Sequence, residues 1–106
     1  MNELITILVE SYQKELTDFI KWYKVNYVGG LDAKAFISLS LNLQLYTFLK
    51  YVRDKYDTFI LADDNQISLV DKNMSIFNTM YFKNDNIDNV YAVAILRVFD
   101  INKLTF

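Results

Sequence analysis

The chain contains no proline, and its only two glycines, Gly29 and Gly30, stand side by side. Glycine opens positive φ and proline fixes the backbone outside regular structure, so the two are the usual punctuation of loops. A chain of 106 residues with so little of either has few places for long loops. Most of it must lie in helices and strands, with turns built from Asp, Asn and Ser. The length suits one domain over residues 1–106, since two independent cores would each fall near the lower size limit for stable folding. Apolar residues make up 53% of the chain, enough for a core and too many for a disordered polymer.

Asn2 to Tyr27 reads as an amphipathic helix. Ile5, Val9, Tyr12, Leu16, Phe19 and Tyr23 recur at alternating steps of four and three, which draws one apolar stripe. Glu3 lies in the first turn, and Lys21 and Lys24 lie near the end, as the helix dipole favours. Gly29 and Gly30 then supply a stop.

Asp32 to Asp57 carries two patterns at once. Ile37, Leu39, Leu41, Leu43 and Leu45 alternate with Ser38, Ser40, Asn42 and Gln44, which alone would describe a half-buried strand. Residue type points to a helix instead, because Leu, Ala and Gln dominate and β-branched residues are few. Asp32 is a good N-cap, Leu31 and Phe36 are spaced as a hydrophobic staple, and Lys50, Arg53 and Lys55 cluster at the end. The expected helix is apolar on two sides. Ile37, Leu41, Leu45, Phe48 and Val52 fall on one face, and Phe36, Leu39, Leu43 and Tyr46 fall almost opposite. One face can pack on the first helix. The other needs a sheet, a further helix or another chain.

The pattern changes after Asp57. Thr58–Ala62 and Gln66–Val70 are short apolar runs around Asp63-Asp64-Asn65, which predicts a hairpin. Met74–Phe82 reads as a third strand, and Asp85–Asn89 as a polar turn. Val90–Ile101 is rich in Val and Ile and is expected as a strand. Ile87, Tyr91, Ala94, Val98 and Ile101 also keep a helical spacing, with Asp88 as a cap. The fold class that follows is α+β, with two N-terminal helices packed on a small antiparallel sheet from the C-terminal half. The alternative is a mainly α bundle with one β-hairpin.

Composition removes much chemistry. There is no histidine and no cysteine, so imidazole bases, thiolate nucleophiles and the commonest metal ligands are missing. Asp63 and Asp64, with Asp57 and Asp71 nearby, lack the alternating spacing of a calcium loop and read as turn residues. Gly29-Gly30 with Lys34 lacks the spacing of a phosphate loop. Glu10 and Glu15 look like part of a solvated helix face. No cofactor and no metal is expected, and an enzyme is not expected.

The longest uncharged run, Ala35–Leu49, is too short to span a bilayer, and Met1–Val9 lacks the basic flank of a signal peptide. With no disulfide framework, the expected location is the cytoplasm. Plentiful Asn, Ile, Lys and Tyr correspond to AT-rich codons, the flavour of a low-GC bacterium or of its phages and mobile elements.

Eight Tyr, eight Phe and one Trp remain to be explained. Tyr and Trp are favoured at interfaces because a large apolar body carries a polar tip. The function expected is a non-catalytic protein–protein interaction module, such as a small phage- or mobile-element-encoded regulator or inhibitor (an anti-defence protein is one example). It would bind a host protein, form a homodimer, or both, through Phe36, Leu39, Leu43 and Tyr46. A nucleic-acid-binding accessory protein using Lys50, Tyr51, Arg53 and Lys55 is the alternative. The net charge of −2 argues against it. A small enzyme confined to Asp, Glu, Tyr and Lys chemistry is the remaining alternative.

Overall fold

The computed structural model describes residues 3–27, 32–83 and 86–103. Among them the chain forms α1 (Glu3–Ser11), α2 (Gln13–Asn26), α3 (Ala33–Ile37), α4 (Leu41–Tyr56), β1 (Phe59–Ala62), β2 (Gln66–Val70), β3 (Ile76–Tyr81) and α5 (Ile87–Lys103). The strands make one antiparallel sheet in the order β1-β2-β3, so the class is α+β. The chain divides into two compact units, Met1–Gln44 and Leu45–Phe106.

In the first unit the expected single N-terminal helix is two helices. The backbone turns at Tyr12 (φ −134°, ψ 46°). Hydrogen bonds from Tyr12 N–H to the Leu8 carbonyl and from Leu16 N–H to the Tyr12 carbonyl, both 2.9 Å, continue across the break. The new helix axis shifts the phase of the buried stripe. α1 buries Leu4, Ile5 and Leu8, whereas α2 buries Glu15, Phe19 and Tyr23. Val9, on the expected stripe, is exposed, and Glu15, expected on a solvated face beside Glu10, is buried. The stop at Gly29–Gly30 and the staple residue Leu31 lie outside the described residues.

The expected Asp32–Asp57 helix is also divided. Asp32 caps α3 as its sequence position predicts, its Oδ1 accepting from Ala35 N–H at 2.7 Å. The helix then stops at Ile37, and the backbone groups at the break are satisfied locally. Ser38 Oγ donates to the Lys34 carbonyl at 3.2 Å, and the Ser40 carbonyl accepts from Leu43 and Gln44 N–H to open α4. Buried Gln44 closes the junction. Its Nε2 donates to the carbonyls of Phe36 and Ile37, both at 3.0 Å, which satisfies acceptors that a helix end leaves open.

An aromatic cluster fills this unit. Phe36 lies 5.4 Å from Phe19 and 5.0 Å from Tyr23 between ring centroids, and Tyr23 stacks on Tyr27 at 4.9 Å. Burial pushes the Tyr23 phenol above its ordinary value of 10.0, and the neighbouring Tyr27 and Asp32 add to the shift. A raised value means that the fold favours the protonated phenol. That contribution is complete below about pH 10 and is lost as pH rises through the raised folded value.

In the second unit α4 buries Leu45, Phe48, Tyr51 and Val52. The first, second and last of these are the stripe read from spacing. Asp57, in the left-handed region at φ 51°, ends α4 with its N–H on the Arg53 carbonyl at 3.1 Å. The β1–β2 hairpin turns at Asp63–Asn65 as expected, with Asp63 N–H bonded to the Gln66 carbonyl at 2.8 Å. The β2–β3 turn is held by Asp71, whose Oδ1 accepts from Asn73 N–H at 2.9 Å and Ser75 N–H at 3.0 Å. Met74 follows at φ 64°. Glycine is the usual occupant of such a position, since a side chain there costs about 1–2 kcal/mol.

One expectation is overturned. Val90–Ile101 is part of a helix, α5, and not a strand. Its β-branched residues suggested a strand, but the run is too long and too one-sided for one. Val90, Ala94, Ile95, Val98 and Phe99 are buried at helical spacing, while Val93, Arg97 and Asp100 are exposed. A packed amphipathic face outweighs residue preference. The capping side chain is Asn86, whose Oδ1 accepts from Asp88 N–H at 2.8 Å, in place of the expected Asp88. α5 packs on β2, and Phe99 lies 6.4 Å from Tyr51 and 6.0 Å from Tyr56.

Two outcomes follow from these local features. Met74→Gly should raise stability by about 1 kcal/mol in urea unfolding at unchanged m; an unchanged or lower midpoint would contradict a strained turn. Tyr23→Phe should remove one late component of the alkaline phenol titration followed at 295 nm, and should reduce the loss of stability at alkaline pH. A Tyr23 that titrates with the exposed tyrosines would contradict the burial argument.

Candidate interaction surface

Pairing register sorts the sheet into two faces. Ile60, Leu69 and Asn78 form one row, and Ala62, Ile67 and Met80 form the next row on the same face. α5 covers this side: Val90 and Val93 line a groove of about 240 Å³ with Ile67 and Met80. The opposite face carries the row of Leu61, Ser68 and Thr79, with Tyr81 beside Gln66. The ladder shifts between Leu69 and Val70, which pairs Val70 with Ile76 and leaves Phe77 as the extra residue of a bulge.

Strand β3 is an edge. β2 bonds one side of it, and among the described residues no strand bonds the other. Its sequence, Ile-Phe-Asn-Thr-Met-Tyr, holds no charge. Among the described residues, eleven large apolar side chains are exposed, and six of them (Met74, Ile76, Phe77, Tyr81, Ile87 and Val93) belong to this edge, its turn or the first half of α5. Ile76 is 63% exposed, Tyr81 76% and Val93 54%. Scattered exposed apolar residues are ordinary; here six of the eleven lie on or beside one unpaired strand.

The other edge differs. β1 has four residues, and a groove of about 210 Å³ runs along it, lined by Phe59–Leu61 and by Tyr46, Leu49, Lys50 and Arg53 of α4. Arg53 Nε approaches Asp54 Oδ1 at 3.8 Å, an exposed pair of little energetic weight. Charges beside an edge strand oppose further pairing.

The residues singled out in the sequence fall in several places. Phe36 is 3% exposed and belongs to the aromatic cluster of the first unit. Leu39 is half-buried. Leu43 (57% exposed) and Tyr46 (79%) face solvent in the first two turns of α4. The four therefore do not make one surface: a short α3 directs Phe36 inward. Of the basic set, Lys50 and Arg53 line the same groove. Tyr51 is fully buried against Tyr56 and Phe99, and offers no ring for a base to stack on. Lys55 is exposed roughly 140° around the helix from Lys50.

Among the described residues no three acidic side chains come together as a metal-holding group, and no helix is long and apolar enough to cross a membrane. Comparison with protein-family models, curated proteins and solved structures finds no match to this chain.

The placement of Phe36 and Leu43 can be tested as a pair. Phe36→Ala should cost about 3–5 kcal/mol, as for a fully packed ring. Leu43→Asp should change stability by no more than about 0.5 kcal/mol. Equal losses in thermal or urea unfolding would contradict the assignment of one to the core and the other to the surface.

Proposed function

We propose that the protein is a non-catalytic interaction module that docks through the open edge of β3 and the adjoining flank of α5. The observation that carries this reading is the gathering of exposed apolar side chains on an uncharged, unpaired strand. The chain's lack of imidazole and thiol groups supports a role in binding over one in chemistry. Its AT-rich residue usage fits a cytoplasmic regulator or inhibitor of the kind carried by phages and mobile elements.

Cross-linking mass spectrometry on proteins captured by the pure chain tests the reading, with a Tyr81→Lys/Val93→Lys variant as the comparison. Both side chains are exposed, so the variant should unfold within about 1 kcal/mol of the parent. Captured chains, further copies of this one included, should cross-link near β3 and α5 and should be lost from the variant. Capture that survives both substitutions, cross-links confined to other surfaces, or no capture at all would overturn the proposal.

A further inference from the structure

We infer that the occupant of the β3 edge is a second copy of this chain, paired antiparallel about a two-fold axis at Thr79 to give one continuous six-stranded sheet. This inference rests on the interaction reading above and names its partner. Antiparallel pairing about a two-fold axis keeps like faces together, so residues facing each other across the axis must share a face of the sheet. Centring on Thr79 meets this condition. Thr79 then meets Thr79 of the second copy, Asn78 meets Met80, and Phe77 meets Tyr81. Each of the last two pairs occurs twice. Aromatic pairs and Thr–Thr pairs are among the favourable cross-strand neighbours.

Charge fits the same register. β3 presents no charged residue to its own copy. The first charge after the strand, Lys83, lies four residues from the axis and so does not meet its own counterpart. The bulge, a common device for discouraging edge pairing, sits at the Ile76–Phe77 end, so the regular ladder about the axis runs over Asn78–Met80 and Tyr81 meets the bulged Phe77 of the second copy.

The choice of edge follows from the two ends of the sheet. β1 is shorter and flanked by Lys50 and Arg53. Head-to-tail joining of β3 to β1 would give a ring or an open filament, whereas β3 to β3 closes as a dimer. Stable interfaces bury about 1,200–2,000 Å² in total, and side chains beside the strand must contribute to that area. Val93, exposed and lining the groove with Met80, extends the apolar contact on the α5 side.

The chain has no cysteine, so a single introduced one reports on its own position. Light scattering on the unsubstituted chain should give twice the chain mass, and Tyr81→Lys should give the monomer. Thr79→Cys should oxidise to a covalent dimer at least tenfold faster than Lys72→Cys. Hydrogen exchange on the unsubstituted chain provides the same test without a new side chain: the β3 amides that face away from β2 should be protected when concentrated and lose protection on dilution. A monomer at millimolar concentration overturns the inference, and so does a dimer in which the two cysteines react equally or β3 exchanges independently of concentration. If the chain is monomeric alone and Tyr81→Lys/Val93→Lys still abolishes capture of another protein, this inference falls and the interaction reading stands. If neither association nor capture depends on the edge, both fall.

Discussion

The packing of α5 against β2 governs the second unit. Val90, Ala94, Ile95, Val98 and Phe99 bury one helical stripe, and Ile67 and Leu69 of the central strand are buried with them. Each fully buried Val, Leu, Ile or Phe among them contributes about 1.5–3 kcal/mol relative to exposure. The same contact has a topological result. A segment spent as a helix on the face of the sheet is not available as a strand at its edge. β3 is therefore left with one bonded side and one open side, and the tyrosine and isoleucine that flank its ladder stay in solvent.

The first unit shows the opposite use of polar groups. A chain with glycine at only two positions has to end most helices by other means. Ser38, Ser40 and Gln44 do this between α3 and α4. Gln44 is the costly element, because an amide taken out of water must find partners, and here it finds two carbonyls at a helix end. The turns of the second unit use Asp63 and Asp71 in the same way. Met74 alone occupies a left-handed position that its side chain disfavours in the β2–β3 turn.

Much of the architecture was legible before any coordinates. The α+β class, the hairpin at Asp63–Asn65, the strand near Ile76–Tyr81, the Asp32 cap and the buried Leu45–Phe48–Val52 stripe follow from spacing and turn chemistry. The breaks at Tyr12 and at Ser38–Ser40 were hidden because periodicity gives the phase of a stripe but not where an axis bends. The open edge of β3 was hidden for a stronger reason. With Val90–Ile101 as a fourth strand, β3 would lie inside the sheet and its apolar residues would read as core. Only the helical assignment of that one segment turns the same residues into a surface. Similarly, Phe36 changes from candidate interface to core once α3 ends at Ile37.

Everything in this account turns on α5 being a helix, which makes β3 an edge. Backbone chemical shifts and cross-strand NOEs of the isotope-labelled chain test it most directly. Helical Cα shifts throughout Ile87–Lys103, with intrachain cross-strand NOEs from β3 running only to β2, are the predicted result. Extended shifts over Val90–Ile101, with NOEs from that segment to the outer side of β3, would contradict it.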